Sequence, residues 1–466
     1  MELFNNSLST GSTLLLFACV LLVLAFEFVN GFHDTANAVA TVIYTSSLKP
    51  RVAVVLSGIF NFIGVMVGGI AVAMAIIKLL PVELLVGKGA GVGLAMSLSL
   101  LLGAIMWNVG TWYIGLPASS SHTMIGSILG VGVANSLTPG HAFGEGVNWA
   151  KALEMGKSLL ISPLCGFAAA GLLYYVMKRY ARNRALVEAP PKNTPPPLGT
   201  RVVLIGTCSA VSFAHGSNDG QKGVGLMMLI LIGLLPAGFA LDMSANTART
   251  YDAVVAIDKV LVEHADVAGA QQVTAVRARL DDLKMRLGGH RDISEIPEAD
   301  RFPIRADILL LDKDLTKLVA DGDIGLSSGE REALDKRRKE LRGVTDYAPL
   351  WVILAIAIAL GLGTMVGWKR IVVTIGEKIG KAHLTYGQGM SAELVAATAI
   401  GVASTAGLPV STTHVLSSGI AGTMVAQGAG VESKTVRKIA LAWVFTLPAT
   451  MVLSGTLFLL LRMLLA

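Results

Sequence analysis

The sequence predicts an all-α polytopic membrane fold with about 10–12 transmembrane helices, some of them broken or re-entrant. Three observations predict it: scarce charge, long apolar runs, and a pair of short motifs that recurs in both halves of the chain. Of 466 residues, 53% are hydrophobic and 15% are charged, against roughly 25% charged in a soluble domain. Apolar runs at 52–77, 158–177, 347–367 and 440–464 have the roughly 17–25 residues that cross a hydrocarbon core of ~30 Å. The first apolar stretch follows Met1–Gly11, which contains no Lys or Arg. No small-residue cleavage pattern accompanies it, so a removable signal peptide is not expected.

Taken in order, ten spans are expected at 13–44, 52–77, 91–114, 116–136, 158–177, 201–241, 347–367, 390–406, 408–428 and 440–464. The loops between them then sort by charge. One side receives 15 basic residues, among them Lys49, Arg51, Lys178, Arg179, Arg182, Lys192, Lys369, Arg370, Lys378, Lys381, Lys434 and Lys438. The other side, without the polar insert, receives five: Lys78, Lys88, Lys151, Lys157 and Arg462. Cytoplasmic loops of membrane proteins carry the Lys/Arg excess. The bias therefore predicts that both termini and the insert are periplasmic, and that the Pro-rich linker is cytoplasmic. The net charge of +6 is this loop bias and does not point to nucleic acid. The expected divisions are 1–177 (first membrane repeat), 178–200 (linker), 201–241 (start of the second repeat), 242–346 (insert) and 347–466 (rest of the second repeat).

The insert holds 38 of the chain's 70 charged residues. Val273, Val276, Leu280, Leu283 and Leu287 follow the spacing of one helix face, as do Ile308, Leu311, Leu315 and Leu318. Glu330–Arg342 is a third, highly charged helical stretch. No catalytic pattern stands out there, so a helical packing or regulatory domain is expected. Cys19, Cys165 and Cys208 all lie in apolar runs without metal-ligand spacing.

The recurring motifs are Gly31-Phe-His-Asp-Thr-Ala-Asn37 with Gly216-Ser-Asn-Asp-Gly-Gln-Lys222, and Gly115-Leu-Pro-Ala-Ser-Ser-Ser-His122 with Gly407-Leu-Pro-Val-Ser-Thr-Thr-His414. Asp34 and Pro117 are 83 residues apart; Asp219 and Pro409 are 85 apart once the insert is removed. The charge bias starts one half outside and the other inside, so the halves are expected to be inverted repeats. That is an architecture of secondary transporters, whose sites lie near the midplane at the repeat interface.

Apart from Arg201 and Arg462 at span ends, five charged residues fall inside spans: Glu27, Asp34, Asp219, Lys222 and Glu393. Such charges are costly and mark ion or substrate pathways by default. Asp34 and Asp219 occupy matched positions where Gly and Asn interrupt apolar runs, which predicts an unwound turn at each. Ser119, Ser120, Ser121 and Thr123 follow Pro117, and Ser411, Thr412 and Thr413 follow Pro409. Hydroxyls and free backbone N–H groups at a helix start suit a tetrahedral oxyanion. Two carboxylates beside an anion need positive charge, so co-transport of a cation is expected. Proton, Na⁺ and a divalent metal all remain open at this stage. Each single feature also has a plainer reading. A lone buried Asp can be a satisfied structural group, Ser and Thr in membrane helices often bond their own backbone, and His122 and His414 suit packing better than ligation. Glu27, two helical turns before Asp34, fits either a proton relay or a partner for Lys222. Glu393 has only Leu101 at its repeat position.

With these residues in view, the chain resembles the PiT family of inorganic phosphate transporters, in its bacterial low-affinity, enteric-type branch. The stretches Asn30–Thr45, Gly115–Thr123, Asn218–Gly225 and Leu408–Ser418 carry the resemblance. It implies phosphate import across a bacterial inner membrane, a homodimer, and a site made of Asp34, Asn37, Asp219 and the two hydroxyl clusters, with Asn218 and Gln221 beside them. Asp34, Asp219, Lys222, Glu27 and His33 are the expected proton-coupling residues, and Asp34 with Asp219 the expected contacts of a co-transported metal. No permanently bound cofactor is expected. The cargo is expected to be a neutral divalent-metal–phosphate complex moving with protons, with Mg²⁺ or another divalent ion as the metal. Sodium-coupled relatives carry Asn at the positions of His33 and Lys222. A lysine ammonium can take the place of a cation beside Asp219, which favours proton coupling. Alternatives are a carrier of another oxyanion such as sulfate, sodium-coupled phosphate symport, a channel, and an intramembrane Ser/His/Asp hydrolase. The last is disfavoured because a hydrolase needs one nucleophile fixed against one base, whereas the hydroxyl clusters here are duplicated.

Overall fold

The structure is a computed structural model. It describes residues 10–79, 90–140, 142–180, 183–188, 190–191, 194–264, 270–320 and 325–465; a few side chains within these, including Thr35, Asn37 and Val273, lie outside the description. The loop residues Lys88, Arg182 and Lys192 also lie outside it. Among the described residues the regular structure is helical, with no strand beyond two isolated bridges.

Two compact units emerge. The first, Met228–Ala348 in its described part, contains the insert. Its helices are α8 (Pro236–Phe239), α9 (Thr247–Glu263), α10 (Ala270–Leu287), α11 (Glu298–Ala320) and α12 (Ser328–Arg342). Val276, Leu280, Leu283 and Leu287 from α10 meet Ile308, Leu311, Leu315 and Leu318 from α11 in one core, as the spacing predicts. Leu334 and Leu341 of α12 join them. Helix α9, which no spacing pattern marked in advance, adds Val254, Ile257 and Leu261. Two arginines are buried, and backbone carbonyls satisfy them: Arg305 donates to Ala240 O and Thr345 O, both at 2.9 Å, and Arg301 donates to Ile296 O at 3.0 Å.

The second unit holds the remaining helices: α1 (Thr10–Tyr44), α2 (Pro50–Val67), α3 (Ala71–Ile77), α4 (Ala90–Tyr113), α5 (Ser120–Ser136), α6 (Trp149–Tyr180), α7 (Leu198–Leu234, to Met227 in this unit), α13 (Leu350–Thr364), α14 (Lys369–Glu377), α15 (Tyr386–Thr405), α16 (Thr412–Gln427) and α17 (Ser433–Leu465). Among the described residues six helices are long and apolar enough to cross a membrane. The pair α13–α14, bent by 65° at residues 365–368, passes the same test only when taken together, as a broken span or a re-entrant pair. The expected spans 116–136, 390–406 and 408–428 fall on α5, α15 and α16, which are shorter or more polar. Helices α6 and α17 bury only 28% of their apolar windows. The rest of their surface, including Leu160, Leu164, Val452 and Leu460, is what a bilayer covers.

One expectation is corrected here. Helices α1 and α7 run unbroken through Asp34 and Asp219; neither is unwound. The glycines around them serve close packing instead. A methyl on Gly31 would lie 2.7 Å from Thr364 N on α13, and one on Gly216 would run into the backbone of Asn61 on α2. Small residues let membrane helices approach to backbone contact.

The breaks lie before the hydroxyl clusters. Helix α4 ends at Gly115 (φ 70°) and α15 at Gly407 (φ 67°), a left-handed conformation that glycine adopts without strain. In both cases the N–H three residues past the last helical residue folds back onto the last turn: Leu116 N to Thr111 O and Leu408 N to Ala403 O, each 2.9 Å. After the proline the chain restarts. Ser119 caps α5 by accepting from His122 N at 3.1 Å, and Ser411 caps α16 by accepting from His414 N at 3.2 Å. Helix α5 packs against α17, α16 against α6 and α15, and α1 against α13. Helix α1 touches both α5 and α16, and α7 meets the two restarts through Lys222 to Ser121 and Asn218 to Val410.

A buried aspartate pair between α1 and α7

Asp34 on α1 and Asp219 on α7 are both buried and lie side by side. The hydroxyl of Ser120, in the first turn of α5, sits within hydrogen-bond distance of both: 2.8 Å from Asp34 Oδ2 and 3.2 Å from Asp219 Oδ2. Thr413, in the first turn of α16, donates to Asp34 Oδ1 at 2.7 Å. Asp219 Oδ1 instead receives the Lys222 ammonium at 2.6 Å. That ammonium also donates to Ser121 Oγ and, at 3.2 Å, to Val410 O.

A third group joins the two carboxylates. His215, one helical turn before Asp219, has Nε2 3.5 Å from Asp219 Oδ2 and 3.7 Å from Asp34 Oδ2. Its Nδ1 is 2.6 Å from Asn61 Oδ1, while Asn61 Nδ2 donates to Thr364 Oγ1 at 3.1 Å. With Asn61 fixed in this sense, Nδ1 carries the proton and Nε2 faces the carboxylates. Oxygen atoms of Asp34 and Asp219 and a ring nitrogen of His215 lie within 4.8 Å of one another, a set able to hold a metal ion. Neutral imidazole with two carboxylates suits a divalent ion; imidazolium in the same place would itself neutralise them.

The other predicted residues sort by distance from this pair. His33 is in contact with Asp34: Nδ1 is 3.1 Å from Asp34 Oδ1 and Nε2 is 3.2 Å from Thr111 Oγ1. Ser119 and Ser411 are helix caps, and Thr123 bonds Ser119 O at 2.9 Å. Thr412, the repeat mate of Ser120, is buried with its hydroxyl unpartnered among the described residues. Asn218 pins the second break, donating to Leu408 O at 3.1 Å and accepting from Val410 N at 3.3 Å. Gln221 is not brought to the pair. It donates to Gly68 O at 2.7 Å and accepts from Val72 N at 2.7 Å, bridging the gap between α2 and α3. A Gln at that spacing looks like a ligand in sequence, but its helix face points to another break. Glu27 is buried and receives Asn30 Nδ2 at 3.3 Å; the Lys222 ammonium goes to Asp219 rather than to Glu27. Glu393 receives the hydroxyls of Thr41 and Thr207, away from the pair. The Asn37 side chain lies outside the description. His122 and His414 pack together, ring centroids 4.6 Å apart, with His414 stacked on Trp443 at 4.0 Å.

His215 and Asn61 were not singled out from sequence. The available signal was spacing: His215 precedes Asp219 by four residues, as Asn30 precedes Asp34, so each shares a helix face with its aspartate.

Fold and site together define a multi-pass helical membrane protein with an ionisable centre sealed inside it. Comparison with known proteins gives the family. Residues 30–454 match the phosphate transporter family, and the chain belongs to it. It is 44% identical to the low-affinity inorganic phosphate transporter PitA of Escherichia coli strain K12, with 96% of each chain covered. It is 40% identical to the low-affinity inorganic phosphate transporter of Buchnera aphidicola subsp. Acyrthosiphon pisum, with 98% of each covered. A solved structure titled the sodium-dependent phosphate transporter shares the fold at a TM-score of 0.57 and 18% identity, covering 96% of this chain and 99% of that one.

Proposed function

We propose that this protein imports inorganic phosphate by proton-coupled symport, taking it as a neutral complex with a divalent metal. The observation that carries the reading is the aspartate pair, joined through Ser120 at 2.8 and 3.2 Å and approached by His215. Two carboxylates in a low-dielectric interior demand positive charge. Lys222 supplies one fixed charge, so the pair retains a demand of about one more, which a proton or the metal of the cargo meets. Ser120, Thr412 and Thr413, with the N–H groups at the starts of α5 and α16, form the donor set for the phosphate oxygens. Lys222 stands where sodium-coupled relatives are expected to place an asparagine, which favours protons over sodium.

The matched breaks at Gly115 and Gly407 support two inverted halves and alternating access. In this reading the protein is a homodimer of the bacterial inner membrane. The basic loop bias supports cytoplasmic placement of the linker 178–200 and periplasmic placement of both termini and of the insert 242–346.

The test is uptake of labelled phosphate by purified protein in liposomes, with proton and sodium gradients imposed separately, with and without Mg²⁺. The expected result is uptake driven by the proton gradient, stimulated by Mg²⁺ and indifferent to sodium. Arsenate competes and sulfate does not, because only the former can share a proton with a carboxylate at neutral pH. Sodium-driven uptake that ignores the proton gradient would overturn the coupling; competition by sulfate would overturn the choice of anion.

A further inference from the structure

A cavity of about 790 Å³ opens beside Gly115, bounded by the end of α4, by α14 and by the first turns of α17. Lys369, Arg370, Lys378 and Lys438 line it, and no carboxylate does. Arg370 is held in place: it donates to Tyr113 O at 2.6 Å, and its guanidinium lies 5.1 Å from the Trp112 ring centroid and 4.9 Å from that of Tyr113. The three lysines make no ion pair among the described residues. The neighbouring acid, Glu377, is engaged by the Tyr44 hydroxyl at 2.9 Å. Four cations around one concavity whose lining holds no carboxylate repel one another and attract an anion.

The cavity wall is linked to the buried pair. Thr374 on α14 donates to Gly115 O at 2.9 Å, and Trp112 Nε1 donates to Gly367 O at 2.8 Å. Thr111, next to Trp112, meets His33, which touches Asp34. The same wall therefore ends in the break that places Ser119 and Ser120.

We propose that this cavity is a second anion site, one that recognises a phosphate group and holds inorganic phosphate outside the buried pair. It rests on the reading that phosphate is the cargo, and in the proposed orientation it is the cytoplasmic antechamber. Lysine and arginine donors around a concavity suit the several charged oxygens of a phosphate. A lipid phosphate headgroup shares that chemistry, so the test separates the two sources.

Half-saturating phosphate is measured from each face of liposomes sorted for one orientation. The variants are the triple Lys369→Gln, Lys378→Gln, Lys438→Gln and a control triple Lys49→Gln, Lys381→Gln, Lys434→Gln, which removes as much charge from the same basic loops but none from the cavity lining. The cavity triple is expected to raise the half-saturating concentration about 10-fold at one face only, from the loss of charge-assisted donors. The control triple is expected to change it by less than about 2-fold, as screened surface charges do. Persistence of the 10-fold effect in pure phosphatidylcholine, which offers no net-anionic headgroup, supports free phosphate as occupant. Its restriction to liposomes containing phosphatidylglycerol supports the same site filled by a headgroup. Equal effects in both triples, or none in either, overturn the site. A wild-type protein that moves no phosphate would overturn the underlying reading instead.

Discussion

The two halves share a motif pair but not its chemistry. Asp34 is surrounded by hydroxyls and histidines: Ser120, Thr413, His33 and, shared with Asp219, His215. Asp219, its repeat mate, is clamped by an ammonium, Lys222, three residues along the same helix. Ser120 bonds both aspartates, whereas its mate Thr412 has an idle hydroxyl among the described residues. One half therefore carries its counter-charge in the covalent chain, and the other leaves the charge to be supplied. Unequal compensation of the two matched carboxylates makes Asp34 the favoured place for a further positive charge, because an unpaired buried carboxylate is what makes cation binding favourable.

The sharpest way to break this comparison is to neutralise each aspartate in turn. Asp34→Asn removes the group with no fixed counter-charge, so uptake should fall about 100-fold or more while the protein still folds. Asp219→Asn leaves Lys222 buried and unpaired, a cost of about 3–5 kcal/mol, and should lower the thermal midpoint and the yield. Adding Lys222→Met to Asp219→Asn should restore the midpoint without restoring uptake. Thermal unfolding in detergent beside liposome uptake separates the outcomes. Equal midpoints for the two single variants would remove the asymmetry.

Lys222→Asn with Asp219 intact tests the built-in charge directly. Uptake should become dependent on external sodium, because a mobile cation must now fill the place of the ammonium. Unchanged uptake and unchanged proton dependence would remove Lys222 from the coupling.

Smaller effects sharpen the comparison. Ser120→Ala takes a hydrogen bond from both carboxylates and should lower uptake about 10-fold. Thr412→Ala, which breaks no bond to either aspartate, should raise half-saturating phosphate by a smaller factor and leave the midpoint unchanged. Gln221→Ala should act on the midpoint alone, by about 1–3 kcal/mol, since its amide bridges Gly68 and Val72 rather than the pair. Smallest of all, Ser327→Ala removes the N-cap of α12 in the insert, costs that unit about 1 kcal/mol, and should leave uptake unchanged.

Much of this was legible in the sequence for identifiable reasons. The spacing of apolar residues gave α10, α11 and α12 of the insert, because a helix with one buried face must repeat at that period. The duplicated motifs gave Asp34, Asp219 and the hydroxyl clusters, because charge inside an apolar run is too costly to be incidental. The same reasoning failed on the glycines. Gly31 and Gly216 read as points of unwinding, whereas both lie in continuous helix.

What the sequence by itself determined was local and periodic: a membrane-embedded helical chain, a polar helical insert, hydroxyl-rich helix starts after Pro117 and Pro409, and the residue types that carry charge. Only tertiary structure decided that Ser120 reaches both aspartates, that Lys222 turns to Ser121 and Asp219 rather than to Glu27, that His215 is held by Asn61, and that Gln221 serves a different break. A glycine shows only that something comes close; whether that is an unwound turn or another backbone depends on the neighbouring helix. Those outcomes depend on which faces of α1, α2, α5 and α7 meet; apart from Lys222 and Asp219, neighbours on one helix, the residues involved lie 86 to 154 positions apart, beyond the reach of any periodicity.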